Sequence, residues 1–132
     1  MSKEDIAVAL RNKGYNCAQA VLCTYADEIG LSEKELFCLS EGLGSGLGNT
    51  FGTCGALNAA CMVISYMNSS GNLDSPNSKG KVYLKMRNMV QLFDDEVGAF
   101  QCRTIKGIEN GKVLKECEEC VRIACRIVEK EK

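Results

Sequence analysis

A chain of 132 residues is long enough for one domain around a single core and too short to make two domains the expectation. Its 16 basic and 17 acidic residues leave a formal net charge of -1, and the lysines are scattered, so nucleic acid finds no clustered basic face to bind. Helix formers dominate, proline occurs once and no alternating β-branched run appears, so the expected fold class is all-α, a single bundle-like domain of five or six helices.

The first residues, Met1-Ser-Lys-Glu-Asp-Ile, are charged and lack the apolar centre of a secretory signal, so a cytoplasmic protein is expected. Ser2 and the acids behind it open a first short helix whose apolar face holds Ile6, Ala9 and Leu10. Gly14 ends it after Arg11 and Lys13, which suit a helix C-terminus. Asn16 reads as the N-cap of a second helix over residues 17–29, nearly apolar all round until Asp27 and stopped by Gly30. Ser32, with Glu35 three positions on, has capping-box spacing and opens a third helix through Leu36, Phe37 and Leu39.

A glycine-studded loop over residues 42–52 follows. It leads through Thr53-Cys54-Gly55-Ala56 into an apolar run ending at Met67, and from Ser40 to that point Glu41 is the one charged residue. This pattern predicts a central helix at about 53–67, covered on most of its circumference. No membrane span is expected, because such a helix needs about 20 mostly apolar residues and this one carries Asn58 and Ser65. Residues 68–78, rich in serine and containing Pro76, read as a surface connection. A fifth helix near residues 79–97 shows Val82, Met86, Met89, Val90 and Phe93 at helical spacing. Residues 98–111 read as irregular with one short turn from Cys102 to Ile105. A last helix is predicted over residues 112–129, with Val113, Leu114, Cys117, Val121, Ala124, Cys125 and Val128 inward and a fraying tail.

Nine cysteines without a single histidine point to metal binding or redox chemistry ahead of a disulfide framework. Four share one local position: Cys17 follows an N-cap, Cys54 follows the glycine loop, Cys102 opens a short turn, and Cys117 lies in the first turns of the last helix. A helix N-terminus presents free N–H groups and about half a positive charge, which favours thiolate. Glycines before Cys54, together with the backbone of Gly52, Thr53 and Gly55, are expected to form an anion-binding nest around it. Cys120, three residues after Cys117 and on the same helical face, reads as a fifth ligand, a resolving thiol or packing. Cys23, Cys38, Cys61 and Cys125 read as buried packing.

At these residues the chain resembles the C_GCAxxG_C_C family, whose label assigns a redox role without a settled reaction. Gly14-Tyr15-Asn16-Cys17 with Ala18 and Val21 is similar to the family's first cysteine segment, and Gly52-Thr53-Cys54-Gly55-Ala56 to its central one. Cys102-Arg103 with Gly107, and Cys117 with Val121 and Ala124, resemble the last two. The chain departs from the label at Gly55, which stands between Cys54 and Ala56, and at Ala59, where the label has glycine. The family is also similar to the non-haem part of split-Soret cytochromes. Haem is not expected here, since there is no Cys-x-x-Cys-His sequence and no axial histidine.

Three readings stay open. In the first, Cys17, Cys54, Cys102 and Cys117, with Cys120 as a further candidate ligand, hold a thiolate-bound metal centre, an iron–sulfur cluster above all, for electron transfer or sensing. Arg103, Lys106 and Lys115 read first as solvated surface charges, with an offset to the charge of that centre as the alternative. In the second, the protein is a metal-free thiol–disulfide oxidoreductase in which Cys54 and Cys17 are redox thiols. The third is a structural or metal-storage domain. No nucleotide is expected, because the glycine run lacks a preceding strand, the third spaced glycine and a Gly-Lys-Ser/Thr sequence. Partners are a redox protein the sequence does not identify and, from the excess of apolar surface, a second copy of the chain.

Overall fold

Eight helices account for the regular structure of the computed structural model, which describes residues 1–132, and the fold is all-α as the sequence indicates. Helix α1 (Lys3–Lys13) starts at Ser2, whose hydroxyl accepts from the Asp5 N–H at 3.2 Å, and stops at Gly14 with φ 121°. Helix α2 (Cys17–Thr24) starts in a reciprocal box: the Asn16 side chain accepts from the Gln19 N–H, and the Gln19 side chain from the Asn16 N–H, both at 2.9 Å. It was expected to run to residue 29. Instead the chain breaks at Tyr25, whose ring is fully buried and whose hydroxyl donates to the Cys125 carbonyl and to Glu129, and resumes as α3 (Ala26–Ile29).

Helix α4 (Glu33–Ser40) has half of its expected box, Ser32 accepting from the Glu35 N–H at 3.3 Å, and tightens into a 3-10 turn over Glu41–Leu43. Helices α5 (Gly55–Asn68), α6 (Lys79–Val97), α7 (Cys102–Lys106) and α8 (Cys117–Glu131) follow. The predicted start of the last helix at 112 is wrong. Glu116 is the cap, boxed with Glu119, and the residues before it are loop, which leaves Val113 exposed. The tail does not fray: Lys132 holds Glu28 and Glu129, and Lys85 donates to the Glu131 carbonyl.

The core lies where α2, α5 and α8 pack on one another, with α1 against α2 and α8 and with α6 across α5 and α8. Val21, Leu22, Leu57, Val63, Ile64, Phe93, Met89, Val121 and Val128 are all sealed there. Each such side chain contributes about 1.5–3 kcal/mol by leaving water. The cover on α5 is less complete than expected, because Met62 and Tyr66 on its outer side remain exposed. Cys23 and Cys125 are buried as expected and Cys61 half-buried, whereas Cys38 points outward on α4 and is exposed. No helix is long and apolar enough to cross a membrane.

Candidate thiolate site

The capping chemistry sets where the thiols stand. Asn16 places Cys17 as the first residue of α2, Glu116 does the same for Cys117 on α8, and Cys102 is the first residue of α7. Cys54 itself is the N-cap of α5, with non-helical backbone at φ -50° and ψ 128°. These four cysteines, drawn from four elements, line one cavity of about 310 Å³. Cys120, one turn into α8, lines it too. Because α2, α5 and α8 are the core helices, the positive ends of their dipoles meet at this cavity.

Two of the thiols receive backbone donors. The N–H groups of Leu57 and Ala56 point to the Cys54 sulfur, and those of Ser45 and Ala18 to the Cys17 sulfur. Cys54 also shares a side-chain hydrogen bond with Cys120. That bond, the two N–H donors and Lys106 outweigh burial and hold the Cys54 thiol below its ordinary value. The proton stays on Cys120, whose thiol is pushed up by its bond to Cys54 and by burial. Burial likewise pushes up Cys17, with the Cys54 thiolate adding to the effect, and Cys102. Of this pair, Cys54 is the thiol whose anion the arrangement favours.

Much of the glycine-loop backbone is not free for the expected nest around Cys54. The N–H groups of Gly48, Thr50 and Gly52 are spent within the loop, on the carbonyls of Gly44, Ser45 and Gly46. Residues Gly44–Leu47 form one left-handed turn, with Ser45 at φ 50°, Gly46 at 56° and Leu47 at 65°, and Thr50 is left-handed as well. Such a conformation costs about 1–2 kcal/mol for each non-glycine residue. It is stitched to the segment before α7: Cys102 and Arg103 donate their N–H groups to the Gly52 and Thr50 carbonyls, and Cys54 donates to the Phe100 carbonyl. At Gly46 a Cβ would stand 2.5 Å from the Cys102 Cβ. What the loop supplies is therefore close approach to Cys102 and the Ser45 N–H for Cys17, with Gly52 and Thr53 as stitching.

Arg11, Lys106 and Lys115 line the cavity and no acidic residue does. Lys106 and Lys115, favoured by the sequence as solvated surface charges, stand in the cavity wall instead. Arg103, read in the same way, is not in the cavity wall. Its guanidinium stacks 3.8 Å from the Phe51 ring centroid and donates to Thr50 Oγ1, clamping the strained loop from outside. Sequence reading missed Arg11, which enters because α1 packs on α8. Cys61 faces a separate groove with Met62 and Met86. No three cysteine or acid side chains stand close enough to share a single ion, so the thiols surround a space larger than one ion needs.

A protein-family model described as "Putative redox-active protein (C_GCAxxG_C_C)" matches residues 15–131. No curated protein and no solved structure matches the chain.

Proposed function

Since this chain belongs to the C_GCAxxG_C_C family of redox-active proteins, we propose that Cys17, Cys54, Cys102 and Cys117 hold an iron–sulfur cluster used for electron transfer or sensing. The observation that carries this reading is the donor set: four cysteines from four elements around one cavity, faced by three cations and no carboxylate. Clusters are ligated by cysteine thiolates, four in the common types. A cavity of about 310 Å³ suits a polyatomic guest better than a lone ion, which needs its thiolate ligands at about 2.3 Å from one point.

When bound, the cluster would supply a redox couple tuned by net charge, hydrogen bonds to sulfur and solvent exposure. The chain's own part is to stabilise anionic sulfur. The Leu57, Ala56, Ser45 and Ala18 N–H groups donate to it, the helix ends face it, and Arg11, Lys106 and Lys115 offset its charge. Each of these favours the more reduced, more negative state. Purification under argon followed by an absorption spectrum and metal analysis tests the reading. Stoichiometric iron with a visible charge-transfer band supports it, and a colourless chain without iron overturns it.

A further inference from the structure

We propose that the outer face of α5 and α6 seats a second copy of this chain, docked with its α6 antiparallel to the first. Cover is what this face lacks. None of the 14 residues of α5 is charged, yet Met62 and Tyr66 on its outer side stand in solvent. They line a groove with Cys61 and Met86, and the exposed Tyr83 of α6 extends the same surface past Ser65 and Ser69. Helices of 14 and 19 residues, at about 1.5 Å rise per residue and about 10 Å width, present roughly 500 Å² in flat projection, a lower bound on accessible area. Two copies would bury about 1,000 Å² or more, which is where specific interfaces begin.

Charge selects the occupant. Tyr83, Arg87, Val90 and Asp94 follow one another at spacings of four, three and four and form one stripe along α6 on the side of the groove. Arg87 and Asp94 are opposite in sign, and neither is held by an ion pair of its own chain. Lys85 and Glu96, on another side of the helix, are held by Glu131 and Arg126. A two-fold axis beside Val90 that reverses α6 sets Arg87 opposite the partner's Asp94, and Asp94 opposite the partner's Arg87. One operation answers both charges. A different protein would have to supply both signs at this spacing, whereas a second copy carries them already.

The helix dipole favours the same pairing. α6 has Lys79 and Lys81 in its first turn and Asp94, Asp95 and Glu96 in its last, the reverse of what its own dipole prefers. Beside an antiparallel copy that order becomes favourable, because the basic half of one helix runs along the acidic end of the other. α5 meets its own copy in the same operation, and since it carries no charge no like-charge pair forms there.

This face shares no lining residue with the thiolate cavity, so dimerisation stands or falls apart from the cluster reading and is measured on the metal-free chain. Sedimentation equilibrium of the reduced 132-residue chain is expected to show its mass rising from 14.4 kDa toward twice that value. For an interface of this minimal size the rise should fall between about 1 and 100 µM. Arg87→Asp and Asp94→Arg should each weaken association about tenfold at low salt, and the two together should restore it, because the swapped charges face each other again. Met62→Glu should abolish association while leaving the far-ultraviolet circular dichroism helical. A chain that stays at 14.4 kDa throughout overturns the proposal and leaves the face to a different protein. A dimer that ignores the single reversals, or that the double reversal does not restore, overturns the antiparallel docking. The parent's mass decides even where a variant fails to fold.

Discussion

A Cβ added to Gly55 would stand 2.9 Å from the Cys17 sulfur and 2.7 Å from the Leu43 carbonyl oxygen. Gly55 is thus the point where the start of α5 is pressed against the start of α2, and its missing side chain is what brings Cys17 and Cys54 to the same wall.

Gly55→Ala should therefore separate those helix ends. Overpacking of this kind typically costs about 1–3 kcal/mol, because one of the two neighbours is backbone. Urea denaturation of the metal-free variant should show the loss, and iron retained by the anaerobically purified variant should fall with it. Unchanged stability and iron would show that the contact is easily relieved.

Cys54 should be the first of the buried site thiols to react as pH rises. Its folded value is lowered, so it ionises below the 9.0 of an exposed thiol, while burial holds Cys17 and Cys102, and the bond to Cys54 together with burial holds Cys120, protonated to higher pH. Pulsed iodoacetamide labelling read by mass spectrometry gives the midpoint for each thiol. Cys120→Ala removes a donor to the thiolate and should move the Cys54 midpoint upward.

Alkaline pH should destabilise the metal-free protein through thiols outside the site. Burial pushes Cys23 and Cys61 up to about 11 and Cys125 up to about 12, against 9.0 in an exposed chain. The folded state then holds protons that the unfolded chain has released, so stability is full below 9 and declines from there as pH climbs toward the folded values. A thermal midpoint that falls between pH 9 and 11 in the parent, and falls less in Cys125→Ala relative to that variant's own neutral-pH value, is the expected result.

Arg103→Ala should loosen the glycine loop without removing a ligand. The side chain covers Phe51 and holds Thr50, at a cost to truncation of about 1–2 kcal/mol from a lost charged hydrogen bond and ring contact. Hydrogen exchange at Gly52 and Cys102, whose N–H groups stitch the loop, should speed up ahead of the α5 core. Lysine at this position should not restore protection, since it lacks the planar fork that stacks and donates together.

Local signals made the helix starts readable. Ser2, Asn16 and Ser32 announce themselves by side-chain oxygen next to an apolar run, and Gly14, Gly30 and Gly98 close helices in left-handed or other positive-φ geometry. Asn16 in this way marked Cys17 as a helix start, while Cys54 and Cys102 were placed by the loops before them and Cys117 only within the first turns of a helix begun too early. The start of α8 was misplaced because Val113 and Leu114 continue its apolar spacing, whereas the chain spends Leu114 on a bond from its N–H to the Ile105 carbonyl. Arg11 joins the cavity through the packing of α1 on α8, a contact between residues about a hundred positions apart that no local pattern encodes. Arg103 looked like a free cation for the same reason, since its partners Thr50 and Phe51 lie in a loop whose left-handed turn the glycine spacing permits but does not dictate.

The most direct measurement is iron and acid-labile sulfide per chain in anaerobically purified Cys17→Ser, Cys54→Ser, Cys102→Ser and Cys117→Ser, beside the parent and Cys61→Ser. A parent with stoichiometric iron, an equal value in Cys61→Ser and a severalfold loss in each of the other four is the predicted pattern, because those four line the shared cavity and are the proposed cluster ligands, whereas Cys61 faces a separate groove. Iron that survives all four substitutions, or is missing from the parent, would contradict it.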